Sequence, residues 1–178
     1  TEQSTHRQRK LEQGLLQLML RKNYEDISVS DLCEYMNVPR KSFYRYFSGK
    51  DGALYSLIDH TIADFYQMHV PPKKSRGNAM GDLDLFFTYW YNNKLFLDAL
   101  QRNSLSGILM ERANSFALRE GFLPQKFKAI PEEQQGIALS FAICGLMSMT
   151  LGWHLQGFMF SPDEMTRLAI NMLTTPLL

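Results

Sequence analysis

Apolar positions recur at three- and four-residue spacing through most of this chain. Leu11, Leu15, Leu18 and Met19 mark one face of a helix over roughly 5–22. Arg21-Lys22 set cations near its negative end, and Asn23 tolerates left-handed geometry, so the helix is expected to stop there. Ser28 opens a second helix: its side chain can cap, and Asp31 completes a Ser-x-x-Asp box. Val29, Leu32, Cys33 and Met36 form its apolar face, and it is short because Asn37 can stop it and Pro39 cannot continue it. A third short helix is expected from about 39 to 47, with Pro39 in the first turn, where its missing N–H has no partner to lose. Phe43 and Phe47, four apart, point inward and leave Arg40, Lys41, Tyr44 and Arg45 pointing elsewhere. Ser48-Gly49 breaks that helix. A fourth, about 50–69, carries Leu54, Leu57, Ile58 and Phe65 inward.

Pro71 to Gly81 reads as a turn-rich, basic, mobile connection. Beyond it the pattern predicts helices near 82–92, 93–103, 104–120, 132–158 and 162–174. Pro131-Glu132-Glu133 and Ser161-Pro162-Asp163-Glu164 are helix starts, with proline in the first turn and acids at the positive helix end. No strand-length alternation with paired turn signals and no internal repeat is found. The fold class is all-α: a head ending near residue 50, then a larger helical body over 51–178.

Composition narrows the picture. The chain has 178 residues, 45% hydrophobic and 21% charged, with 19 Lys+Arg against 18 Asp+Glu. That is an ordinary globular mix, and it excludes a disordered or collagen-like chain. Two cysteines, Cys33 and Cys144, make no disulfide framework and suit a reducing, cytoplasmic compartment. The polar start, Thr1 to Lys10, reads as no secretory signal. The near-neutral total hides a basic segment: Arg40, Lys41, Arg45 and Lys50 fall within 40–50 with no acid, interleaved with Tyr44 and Tyr46. Such a segment suits phosphate contact, although charge alone fits a solvated helix face better.

Residues 28–47 thus make a short capped helix, a tight turn and a second short helix with basic and aromatic residues outward. That is a helix-turn-helix pattern. A helix can enter the major groove only if one face is free of core contacts and bears groups that reach base edges and phosphates. Two short helices are common in all-α proteins, but the residues here are more specific. The run Val38-Pro39-Arg40-Lys41-Ser42-Phe43-Tyr44-Arg45-Tyr46-Phe47-Ser48-Gly49-Lys50-Asp51 resembles the recognition-helix signature of the TetR family of transcriptional regulators. Tyr24-Glu25-Asp26-Ile27-Ser28-Val29 with Asp31-Leu32 resembles that family's entry into its second helix, and the likeness spans residues 9–58. It implies that Arg40, Lys41, Tyr44 and Arg45 face the groove, and that Ser28, Ser42, Tyr46 and Lys50 meet the DNA backbone. Three positions depart from the family pattern: Pro39 stands at a usual serine, Lys41 at a common glycine and Asn37 at a usual glycine. The stretch Gly145 to Leu173 resembles, more loosely, a C-terminal effector type common in Firmicute members.

Between Gln134 and Pro162 there is no Asp, Glu, Lys or Arg. A run of about 18 or more uncharged apolar residues can span a membrane. Here it includes Ser140, Ser148, Thr150, His154 and Gln156, with acids on both flanks and no positive-inside signal. Burial between a core and a second subunit is the stronger reading, so no membrane partner is expected. This fits the family pattern, in which the last two helices of each subunit pair. Met147, Leu151, Phe158, Met165, Leu168 and Met172 are the candidate dimer residues. Aromatic and methionine residues crowd the body. Phe86, Tyr89, Trp90, Met110 and Trp153 are candidates to line an apolar ligand pocket, although core packing needs the same residue types.

Catalysis finds no motif: no Gly-x-Ser-x-Gly, no His-Glu-x-x-His and no Gly-rich phosphate loop. His60 and Asp64, four apart, could form a two-ligand metal face, but a surface ion pair or solvated face is the stronger reading. Neither cofactor nor metal is expected. Together these readings imply a non-enzymatic, dimeric regulator of a double-stranded DNA operator with a small-molecule effector. Two alternatives stay open at this level: a coactivator controlled by a partner protein, and a helical lipid- or small-molecule-binding protein with a vestigial head.

Overall fold

Local capping explains where the short helices begin and end. In the computed structural model, which describes residues 2–69, 79–120 and 125–174, Ser28 caps α2 (Val29–Tyr35) through the expected box. Its hydroxyl accepts from Asp31 N–H at 3.0 Å, and its own N–H donates to the Asp31 carboxylate at 2.8 Å. Asn37 takes a left-handed φ of 50° at the end of α2, where Asn37 N–H reaches Glu34 O and Val38 N–H reaches Cys33 O. Two regular helices flank α2: α1 (Glu2–Met19) before it and α3 (Arg40–Phe43) after it. The periodicity of α3 extends to residue 47, but its regular part is a single turn that continues as looser turns. A 3₁₀ turn, Tyr24–Asp26, joins α1 to α2.

α4 (Lys50–His69) links this head to the body. It packs along α1 on one side and against α5 (Ala79–Asn92) and α7 (Ser106–Arg119) on the other. Its buried residues Leu54, Leu57, Ile58 and Ile62 join the cores of both regions into one cluster. α6 (Lys94–Arg102) touches α1, α5, α7 and α8 (Glu132–Leu155), while α9 (Pro162–Thr174) lies on α5. Among the described residues there is no strand, as the all-α reading requires. The expected connection from Pro71 falls mostly outside the described residues, but Ala79, Met80 and Gly81 belong to α5. The helix therefore starts earlier than its turn-forming residues suggested.

α8 is long and apolar enough to cross a membrane by length and composition. It carries no net apolar stripe. Leu139, Met147, Thr150 and Trp153 are buried, while Ile137, Phe141 and Leu155 are well exposed.

Candidate nucleic-acid interface and its connection to the body

Two phenylalanines decide which residues the recognition segment presents. Phe43 and Phe47 are buried, with ring centroids 5.2 Å apart. Pinned there, the segment leaves Arg40, Lys41, Tyr44 and Arg45 exposed and Ser42 and Tyr46 half-buried. The Arg40 guanidinium lies over the Tyr44 ring one turn on, 6.0 Å from its centroid. The Tyr44 side chain holds the Arg40 cation above its already high range. The outer face is thus a cationic, aromatic ridge with no acid of its own.

Ser28 and Lys50 stand at the edges of this ridge and already have partners. The Ser28 hydroxyl is engaged by Asp31, whose carboxyl is held well below the usual range by that hydroxyl, by the Ser28 N–H and by Lys22. Lys50 Nζ donates to Tyr24 O at 2.6 Å and lies 4.2 Å from the Tyr24 ring centroid. Tyr24 Oη donates to Asp51 Oδ1 at 2.6 Å, and burial followed by that bond pushes its pKa up, so it stays a neutral donor. The start of α4 is therefore riveted to the turn that leads into α2.

Farther along α4 lies a polar seam the sequence did not reveal. Glu12 is fully buried on α1, yet both its carboxylate oxygens lie 2.9 Å from His60 Nδ1. Ser56 Oγ donates to Glu12 Oε1 at 2.7 Å, and Gln8 donates to Ser56 Oγ at 2.9 Å. One turn on, Arg9 forms a bidentate pair with Asp64 at 2.7 and 3.0 Å. His60 and Asp64 therefore face α1 in separate pairs rather than forming a metal face. On the body side Asp59 binds Arg112 of α7, whose guanidinium lies 4.8 Å from the Tyr55 ring centroid.

The aromatic pocket candidates belong to one continuous ring network, in which Phe86 meets Phe87 at 5.3 Å and Phe87 meets Trp153 at 6.0 Å. Phe86, Tyr89 and Trp90 meet one another and Phe65, and Trp90 stacks on Phe96. At the other end of that network Trp153 meets Phe87, Tyr91 and Phe158. Met110 is half-buried against the core. Burial pushes up the pKa of Tyr89, whose hydroxyl donates to Thr61 O and so ties α5 to α4. Among the described residues the buried Trp90 indole N–H and Asn114 Oδ1 have no hydrogen-bond partner.

Residues 14–54 match the family model for bacterial regulatory proteins of the tetR family. The whole chain shares its fold with several solved structures. A protein from Syntrophomonas wolfei described as a TetR-family transcriptional regulator superposes with a TM-score of 0.69 at 16% identity, covering 98% of this chain and 97% of that one. The dihydroxyacetone kinase operon activator DhaS gives 0.61 at 17% identity, with 93% of each chain covered. The TetR family repressor AlkX from Dietzia sp. strain DQ12-45-1b gives 0.55 at 17% identity, with 92% and 91% covered. No curated protein matches the chain in sequence. The head is a TetR-family head, and the chain has the TetR-family fold.

Within that fold the dimer candidates part company. Met147 and Met165 are buried inside their own chain, and Leu151 and Phe158 are half-buried, which leaves Leu168 and Met172 on the surface. Beside them, more exposed apolar surface is carried by residues that periodicity did not single out: Ile137 at 73% exposed, Phe141 at 69% and Leu155. A run apolar all round has no periodicity to tell its inner side from its outer one. The TetR-type head also hides the Glu12–His60 contact from sequence, because it joins residues 48 positions apart.

Proposed function

We propose that this protein is a homodimeric, one-component transcriptional regulator of the TetR type that works in the cytoplasm. Arg40, Lys41, Tyr44 and Arg45 enter the major groove of a palindromic operator, and Ser28, Ser42, Tyr46 and Lys50 meet its backbone. The observation that carries this reading is the burial of Phe43 and Phe47, which turns a four-residue cationic and aromatic face to solvent on a TetR-family head. Dimerisation uses α8 and α9, where Ile137, Phe141, Leu168 and Met172 leave apolar surface uncovered in the single chain. The effector is an apolar small molecule held among Phe86, Tyr89, Trp90 and Met110. The unpartnered Trp90 N–H offers it a hydrogen-bond donor. Trp153 closes the far end of the same ring network through Phe87. The similar structures include an operon activator and a repressor, so the shared fold serves both signs of regulation.

Duplex selection from a random library, then affinities for the selected and a scrambled duplex, tests the assignment. Arg40→Ala and Lys41→Ala are expected to cost about 1–3 kcal/mol on the selected duplex and to relax one base position. Tyr46→Phe is expected to weaken both duplexes alike, since phosphate contacts carry no base information. Equal losses on both duplexes for Arg40→Ala and Lys41→Ala would make these residues backbone anchors and end the groove-reading assignment.

A further inference from the structure

The last residues of α6 reach from the body and hold two places on the head's backbone at once. α1 ends at Met19; the N–H groups of Arg21 and Lys22 both turn back to Leu18 O, leaving the Met19 and Leu20 carbonyls at the open helix end. The body takes both. Asn103 Nδ2 donates to Met19 O at 3.1 Å, and Arg102 Nη1 donates to Leu20 O at 3.0 Å. The same amide accepts on its other side: the Tyr24 N–H donates to Asn103 Oδ1 at 2.5 Å. Asn23, at the cap of that 3₁₀ turn, makes no side-chain cap bond of its own. A further bond from Asn103 Nδ2 to Ala99 O at 2.7 Å anchors the amide on α6. Only one amide orientation satisfies this set, because the flipped amide would set oxygen against two carbonyls and NH₂ against an N–H.

The placement comes from how α6 ends. Ser104 adopts a left-handed φ of 58°, with Ser104 N–H on Gln101 O and Leu105 N–H on Leu100 O. The chain therefore turns away directly after Asn103. At the other end of the contact, Tyr24 is also held by α4, its carbonyl by Lys50 and its hydroxyl by Asp51. Tyr24 leads through Ile27 to Ser28, the cap of α2.

We propose that Asn103, aided by Arg102, is the positioning residue that sets the angle of the DNA-binding head on the body and carries a displacement of α6 into α2 and α3. Hydrogen bonds are lost once their heavy atoms part by more than roughly half an ångström beyond contact. A shift of α6 by an ångström must then either drag the Met19–Tyr24 turn with it or release it, and either outcome changes the head's angle. The proposal rests on the reading that the body governs the head, but its structural half can be measured with neither DNA nor effector.

Spin labels at the exposed Glu34 and Glu111 positions, in the full chain with Cys33→Ala and Cys144→Ala and diluted with unlabelled protein, report the head-to-body distance. Asn103→Ala is expected to broaden and shift that distribution and to speed exchange of the Tyr24 amide by about tenfold or more. Asn103→Asp keeps the Tyr24 acceptor but sets a carboxylate oxygen against the Met19 and Ala99 carbonyls, so it should retain Tyr24 protection and still shift the distribution, and Arg102→Ala should shift it least. A folded Asn103→Ala chain that loses Tyr24 protection but keeps the parent's distance distribution makes Asn103 a local cap and overturns the proposal. If Asn103→Ala does not fold, unchanged distributions in both other variants overturn it equally. Transmission is read on the selected duplex. There Asn103→Ala should lower affinity for the full operator while leaving that for a single half-site unchanged, and equal affinity for the full operator refutes transmission. Failure of the parent chain to bind any duplex would instead remove the regulator reading and leave the distance result standing.

Discussion

Head and body are both helical, but they are held in place differently. In the head, the helix ends on either side of the recognition turn are fixed by near neighbours: Ser28 with Asp31 opens α2, Asn37 closes it, and Phe43 with Phe47 anchors the recognition segment. In the body, long apolar helices have little local punctuation, and their faces are chosen by what packs on them. Where the two regions meet, the shared apolar core on α4 is flanked by polar pairs, with Glu12, His60, Ser56, Arg9 and Asp64 on one side of α4 and Asp59 with Arg112 on the other. Polar contacts are directional and lost over short displacements, whereas apolar packing tolerates sliding. Directional pairs of the first kind, set beside a shared core of the second, keep a defined angle between the two regions.

The sharpest way to break this contrast is to attack the seam. His60→Leu leaves the Glu12 carboxylate buried with Ser56 as its remaining partner, and should destabilise the fold by about 3–5 kcal/mol in urea denaturation. The double variant Glu12→Leu with His60→Leu should recover much of that loss, since a buried pair replaced by apolar groups is often neutral. A small effect of His60→Leu alone would show that the seam is solvated and does not govern the joint. Phe43→Ala should cost a similar ~3–5 kcal/mol and abolish duplex binding, by removing the anchor that aims the ridge.

The body's free face gives the next effect. Phe141→Glu, at an exposed position, should leave the melting temperature of the single chain unchanged and drive a dimer to monomer in sedimentation. A dimer that survives Phe141→Glu together with Ile137→Glu would move the interface elsewhere.

Helix starts compare head and body directly. Ser28→Ala and Ser161→Ala each remove a capping hydroxyl and should cost about 1 kcal/mol. The two boxes also respond alike to acid. Hydrogen bonds from Ser28, with Lys22, depress the Asp31 carboxyl; those from the Ser161 N–H and hydroxyl depress Glu164. Depressed carboxyls stabilise the fold fully above their ordinary values, near about 4, and that contribution is lost as pH falls through the lower folded values. Thermal melts between pH 5 and pH 2 should therefore fall less steeply once Asp31→Asn and Glu164→Gln are introduced.

The smallest effect separates two of the left-handed turns, one in each region. Ser104→Gly should stabilise the body by about 0.5–1 kcal/mol, because serine adopts φ 58° at a cost glycine avoids. Asn37→Gly should change the head by less, since asparagine already tolerates that conformation.

What the sequence determined by itself was local. The Ser28 box, the Asn37 turn, the inward Phe43 and Phe47, and the starts of α8 and α9 each depend on residues within about one or two turns, so spacing and residue chemistry were enough to read them. The end of α1 shows the limit. Arg21 and Lys22 were expected to close it, but Arg21 lies beside the Tyr35 ring and Lys22 pairs with Asp31, while Arg102 and Asn103 take the open carbonyls. Only the tertiary structure decided that, as it decided that Glu12 is buried, that Trp153 sits apart from Trp90, and that α8 shows Phe141 rather than Met147 to solvent. The physical reason is the same in each case. A helical end or an apolar helix has several partners of nearly equal chemistry available to it, and the chain selects among them only when distant segments pack and exclude water from all but one.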